Sequence, residues 1–154
     1  MLITFSRKLP DGSPSNFKDK ILDGTKIHTI RATRRGKRQI ETGDELHLWD
    51  GSPRNTRGNS AKIPGSWVCS GVEPAYILFD EQEDVYSVRV MVGRVYAGSV
   101  NYTQLSWENV KRLAENDGLT INQFVNWFWE ATNKGTELFQ GFIIHWTSLR
   151  YGIS

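Results

Sequence analysis

The stretch from Ser106 to Phe128 holds two helix starts and one helix stop, which leaves room only for a tight helix pair. Ser106 can cap a helix that buries Trp107, Val110, Leu113 and Ala114, and Asp117-Gly118 ends it. Thr120 caps the next, with Gln123 three residues on completing a capping box and Leu119 and Phe124 in the hydrophobic-staple positions around it. Ile121, Phe124, Val125 and Phe128 then recur at helical spacing. Nearly everything else in the chain reads as strand or turn.

Leu2 to Ser6 is an opening strand, closed by Asp11, Gly12 and Pro14. Ser15 is placed to cap a short helix in which Phe17, Ile21 and Leu22 share a face, and Gly24 supplies its left-handed stop. Ile27 to Arg31 is strand-like. Glu45 to Trp49 alternates, with Leu46 and Leu48 on one side and Glu45, His47 and Trp49 on the other. Residues 50–66 carry no apolar periodicity, and so long a structureless loop in a small domain is usually functional. Trp67 to Phe79 and Val85 to Ala97 read as strands joined by an acidic turn. Phe139 to Thr147 is the last strand, with Phe142, Ile144 and Trp146 on one face. Strands dominate and the helices are segregated from them, which predicts an α+β fold with a curled or barrel-like sheet. No repeat or linker divides the 154 residues, so residues 1–154 are read as a single domain.

Charge sharpens the reading. The formal net charge is only +2, too small to argue for a partner by itself, but the distribution is uneven. From Arg31 to Lys62 there are eight Lys or Arg against four Asp or Glu, whereas Glu73 to Asp84 holds five acids and no base. One region is therefore positive and another negative, a pattern that steers charged partners. Cys69 is the only cysteine, which excludes a disulfide framework and a thiolate metal site, and it reads as a small buried hydrophobe. His28, His47 and His145 have no ligand spacing, and no carboxylate cluster suits magnesium. No metal or cofactor is expected. The opening MLITFSRKLPDG turns polar too soon for a secretory segment, and no run approaches the roughly 20 apolar residues that cross a bilayer. The expectation is a cytoplasmic protein that does not engage a membrane.

The segment GTKIHTIRATRRGK, residues 24–37, concentrates the candidate chemistry. Strand alternation puts Thr29 and Arg31 on one face and Lys26 on the other, so Lys26 must lie in the turn after Gly24 to reach Thr29. Arg31, Arg34, Arg35, Lys37 and Arg38 crowd eight positions, and Arg54, Arg57 and Lys62 add charge from the following loop. Arginine forks suit phosphate, with an affinity that falls as salt rises. A solvated loop between strands would carry the same residues. Trp49, on the polar face with Glu45 and His47, is the best candidate for base stacking, and Trp67 is second. Trp107, Trp127 and Trp146 follow apolar periodicities and read as core. Asp117 has an ordinary role as a helix-ending Asp-Gly beside the next helix start.

A helix ending ILDG, then TK, HTIR and the Gly43-Asp44 strand start resembles the ASCH domain family, and RLAENDGLTINQF, Arg112 to Phe124, resembles the helical segment of its small N4-acetylcytidine amidohydrolases. The resemblance spans most of the chain in order and is concentrated in those two stretches. It implies a PUA-like β-barrel of about six strands with flanking helices, and RNA, a nucleoside or a nucleotide as ligand. Carried over by motif, the amidohydrolase's catalytic lysine, threonine and acid fall on Lys26, Thr29 and Asp117. The last position departs from the family's glutamate by one methylene, and the long 50–66 loop is absent from the compact enzymes. The expected function is binding of RNA or a modified nucleoside in a basic cleft between residues 26–31, loop 50–66 and the Asp117 junction. Arg31 and its neighbours would hold phosphate there. Removal of an acyl group from the N4 of cytidine by Lys26, Thr29 and Asp117 is the alternative, with ribonucleolytic cleavage as a variant. Docking of an acidic protein on the positive face is a third reading.

Overall fold

The computed structural model describes residues 1–54, 59–80, 87–132 and 138–152. It is an α+β fold, mostly strand, with two sheets and three helices. In chain order the elements are β1 (Leu2–Phe5), α1 (Phe17–Leu22), β2 (His28–Ala32), β3 (Glu45–Asp50), β4 (Ala61–Lys62), β5 (Trp67–Val68), β6 (Gly71–Asp80), β7 (Ser87–Tyr96), β8 (Ser99–Gln104), α2 (Trp107–Asn116), α3 (Ile121–Ala131) and β9 (Leu138–His145). The five-stranded sheet runs β2-β9-β6-β7-β8 and is antiparallel throughout. In the smaller sheet β3 pairs with β1 in parallel and with β4 and β5 antiparallel. Among the described residues these pairings make two sheets and do not close into one ring.

The stretch from Trp67 onward, expected as one strand, breaks at Cys69 and Ser70 and changes sheet. The Cys69 amide donates to the Asp44 carbonyl beside the small sheet, and the Ser70 amide donates to His145 at the end of β9. Those two bonds send the chain from one sheet to the other. Along β6 every second residue is buried, the signature of a strand with one face on the core. Val88, Val90 and Val92 of β7 and Phe139 and Ile143 of β9 complete that surface.

Helices α2 and α3 form as their caps predict. The Ser106 hydroxyl accepts from the Asn109 amide, and the Thr120–Gln123 capping box is present in both directions. Phe124 and Phe128 of α3 are buried, and Phe128 meets Phe139 edge-on at 4.9 Å between ring centroids. Trp107 is different: it is 53% exposed, because the buried stripe of α2 passes through Val110, Leu113 and Ala114.

Other expectations change. Ser15 does not cap α1; it is buried and its hydroxyl donates to the Ser6 carbonyl at 2.6 Å, tying a loop. Asn16 holds the cap position in a left-handed conformation, without a side-chain cap bond. The six-residue helix offers the core one edge, Phe17 and Ile21, so Leu22 remains exposed. Loop 50–66 is not structureless in its second half. Ala61–Lys62 pair with Trp49 and Asp50, and Ile63, fully buried, donates its amide to the Leu48 carbonyl. One isoleucine cannot create a period, so this strand had no pattern to betray it. Strand β8 was likewise unmarked, since all six of its residues are exposed. Residues 55–58 and the acidic turn at 81–84, with Val85 and Tyr86, lie outside the described residues.

Candidate ligand-binding cleft

Helix α1 ends at Asp23 and Gly24, which adopts the left-handed conformation at φ 84°. The chain is then pinned twice: the Lys26 amide donates to the Lys20 carbonyl and the Ile27 amide to the Asn116 carbonyl, each at 2.9 Å. The second bond latches the entry to β2 onto the last turn of α2, one residue before Asp117. Lys26 therefore lies in the turn and not in the strand, as alternation required.

Its side chain runs inward. Nζ of Lys26 donates to Oδ1 of Asp117 at 2.8 Å and to the Asp117 main-chain oxygen at 2.7 Å. Lys26 is 2% and Asp117 5% exposed. The ammonium also lies 4.7 Å from the ring centroid of Phe17 and 5.5 Å from that of Phe5. Two of its three protons are used on Asp117, and aromatic faces flank the rest of it. Burial drags the Lys26 ammonium below the ordinary lysine range, against the pull of Asp117. For Asp117 burial acts to raise the carboxyl, but Lys26 and His28 outweigh it and hold the group below the usual carboxylate range.

Thr29 and Arg31 follow on the same face of β2. Arg31 Nε donates to Thr29 Oγ1 at 3.1 Å, Nη2 donates to the Thr4 carbonyl at 2.7 Å, and the guanidinium lies 5.0 Å from the Phe5 ring centroid. No carboxylate lies within 4.0 Å of this guanidinium among the described residues. Burial pushes its pKa down to about 10.

Lys26, Thr29, Arg31 and Asp117 line a single cleft of about 580 Å³. That volume is in the range of sites that enclose small organic ligands. Part of its lining is aromatic and apolar, with Phe17, Leu119, Trp127 and Phe128, and part is polar, with Ser6, Arg7, Gly51, Ser52 and Ser60. Arg7 is steadied there by Asp50, its Nε 3.3 Å from Oδ2, and by the Asn59 carbonyl.

The remaining candidates lie elsewhere. Arg34 faces a small neighbouring pocket, where its main-chain groups bond the Gln39 amide. Arg35 and Lys37 are exposed, and Arg38 is spent on Asp44 at 2.8 Å. Trp49 is half-buried in β3 opposite Thr4 and Lys62, and Arg54 is exposed. None of these lines the cleft. Arg57 lies outside the described residues.

Sequence reasoning did not select Arg7 or the aromatic wall. For Trp127 a signal was present: Trp127, Phe128 and Trp129 are consecutive, and no helix turns three neighbours to one core. Trp127 packs edge-on against Phe17 at 5.9 Å and walls the cleft. Arg7 carried no signal, since only the fold brings it to this rim.

No family model, curated protein or solved structure matches the chain. Among the described residues no group of three or more His, Cys, Asp or Glu is arranged to hold a metal, and no helix is long and apolar enough to cross a membrane.

Proposed function

We propose that this chain is an ASCH-type domain, a PUA-like barrel in architecture, whose cleft binds a modified nucleoside. One observation carries the reading: Lys26, Thr29, Arg31 and Asp117, drawn from residues 91 positions apart at the extremes, share one nucleoside-sized hollow with an aromatic wall. The Phe17 and Trp127 side offers π surfaces for a base, worth about 1–3 kcal/mol per stacked ring. The serines and Arg7 offer donors for a ribose. A single nucleoside suits the site better than a long RNA, because Arg35, Lys37, Arg38 and Arg54 are not part of it. Calorimetric titration with N4-acetylcytidine and with cytidine tests the proposal. Saturable binding that Lys26→Ala weakens at least tenfold is expected; binding indifferent to that change would end it.

A second reading, hydrolysis of an N4-acyl amide, is favoured by the bond from Arg31 Nε to Thr29 Oγ1. A cationic donor on that oxygen stabilises it as it loses its proton. The step needs one proton moved from Lys26 to Asp117; burial, which lowers Lys26, favours that transfer, and the hold of Lys26 and His28 on the carboxylate opposes it. In that form Thr29 attacks the acyl carbonyl and its proton passes to the Lys26 amine. The C–N bond then breaks, and Asp117 gives its proton to the leaving cytidine. Water would cleave the resulting threonyl ester and restore the hydroxyl. Release of acetate from N4-acetylcytidine by the wild type, absent in Lys26→Ala, is the expected result, and equal rates in the two would exclude it.

A further inference from the structure

Behind Asp117, on the side away from the cleft, lies a chain of buried polar groups that neither reading above uses. His28 is fully buried, with its ring 5.4 Å from that of Tyr151 and 5.5 Å from that of His145. Its Nε2 lies 2.7 Å from the Tyr151 hydroxyl, and its Nδ1 is 3.5 Å from Asp117 Oδ1. Asn116 Nδ2 approaches the same tyrosine oxygen at 2.9 Å.

Hydrogen-bond bookkeeping assigns every proton in this chain. An amide nitrogen only donates, so the Tyr151 oxygen accepts from Asn116; that oxygen has room for a second donor, but His28 Nε2 is the one acceptor in hydrogen-bond reach of the Tyr151 hydroxyl among the described residues, and the phenol proton goes there. On this assignment the nitrogen is bare. Burial pushes His28 below the ordinary histidine range, so the ring is neutral near pH 7, and its one proton is on Nδ1, facing Asp117. Oδ1 of Asp117 thus accepts from Lys26 Nζ and has beside it, at 3.5 Å, the His28 Nδ1 proton, which makes no hydrogen bond among the described residues, while Oδ2 has no protein partner there.

The tyrosine is itself anchored. Its amide and that of Gly152 donate to the Glu73 carboxylate at 3.0 and 2.7 Å, and Glu73 also bonds His145 Nε2 at 2.7 Å. Burial works against that carboxylate, but His145 and the two amides outweigh it and keep it ionised.

We infer that Tyr151 is a positioning residue for the cleft: by fixing the tautomer of His28 it sets the rotation of Asp117 and leaves Oδ2 as the oxygen offered to a ligand. The role resembles that of outer-shell partners that orient a reactive carboxylate without touching substrate. The assignment of a ligand to that oxygen rests on the nucleoside reading; the tautomer and the carboxylate's orientation do not.

Nitrogen-15 spectra of the full chain, labelled at histidine, test it. In the wild type near pH 7 His28 should be the neutral Nδ1–H tautomer, with no proton on Nε2. Tyr151→Phe keeps the ring and removes only the hydroxyl. It should release His28 to a mixture of tautomers and weaken N4-acetylcytidine binding about fivefold, the scale of one net hydrogen bond. Asn116→Ala, which frees the phenol proton to turn away, should give the same spectral change in smaller measure. A wild-type His28 that is protonated on Nε2 or doubly protonated overturns the inference, whether or not the variants fold. So does an unchanged tautomer in a folded Tyr151→Phe. If the tautomer shifts as expected but N4-acetylcytidine binds neither protein, the hold of Tyr151 on Asp117 stands and the nucleoside reading falls.

Discussion

Nζ of Lys26 lies 2.8 Å from Oδ1 of Asp117 and 2.7 Å from that residue's own main-chain oxygen, so one side chain grips both halves of its partner. Both residues are almost wholly buried. A pair of this kind is costly to break, because either partner left alone is an uncompensated charge in low dielectric.

Lys26→Met and Asp117→Leu should each destabilise the fold by about 3–5 kcal/mol, and the double variant by less than the sum of the two. Chemical denaturation of all four proteins measures the coupling. Additive losses would mean that the contact contributes nothing to the folded state.

Acid should weaken the protein in two stages. His28 has a folded pKa below its ordinary 6.5, since burial disfavours the charged ring. The stability it confers is complete above 6.5 and is lost as the pH falls below that value. Asp117, also depressed in the fold, confers stability that is present above 3.8 and lost as the pH falls through its folded value. Melting temperatures between pH 3 and 8 should therefore decline first below about 6.5, and His28→Asn should flatten that arm and leave the lower one.

Thr29→Val replaces the hydroxyl with a methyl of nearly the same shape. Arg31 Nε then loses its acceptor, for about 1 kcal/mol of stability. If Thr29 is the nucleophile, acetate release from N4-acetylcytidine should fall at least about a hundredfold in Thr29→Val and survive in part in Thr29→Ser. Turnover that persists in the valine variant would assign the attack to another group.

Exposed charges outside the cleft provide a further discrimination. Arg35→Ala with Lys37→Ala should leave nucleoside affinity within about twofold of wild type, while any affinity for single-stranded RNA falls and its salt dependence flattens. Loss of nucleoside binding in this variant would show that the ligand extends beyond the cleft.

Gly141→Ala should destabilise the sheet. Gly141 pairs with Ala32, and a Cβ there would overlap the Arg31 carbonyl of the neighbouring strand. Main chain has little room to yield, so a loss of about 1–3 kcal/mol is expected in denaturant titrations. An unaffected midpoint would mean that β2 can shift away from β9.

What could be foreseen followed from local chemistry. The Thr120 capping box, the Ser106 cap and the placement of Lys26 in a turn all depend on residues within a few positions of one another. Asp117 shows where that stops. Its sequence context speaks for a helix-ending turn, which it is; its inward aim depends on the bond from Ile27 to Asn116, which no local pattern encodes. The basic run divided for a similar reason. Arg31 is held on a strand and enters the cleft, whereas Arg35, Lys37 and Arg38 fall in the loop beyond it, where alternation no longer dictates direction. Trp107 misled because helical spacing tells which residues share a face but not how wide the buried stripe will be.

The latch between Ile27 and Asn116 has a bearing on which lengths of chain this fold tolerates. It fastens the approach to β2 against the end of α2, so Lys26 and Asp117 are each within a residue or so of a fixed point. An insertion or deletion of one residue at 24–26 or 117–119 would swing one side chain out of reach of the other and unmake the cleft floor. The polar rim, held by a few contacts at Arg7, can be redrawn without that penalty. Diversity among chains of this design should therefore accumulate around Ser52 and Ser60, where it changes what the cleft admits and spares what it does.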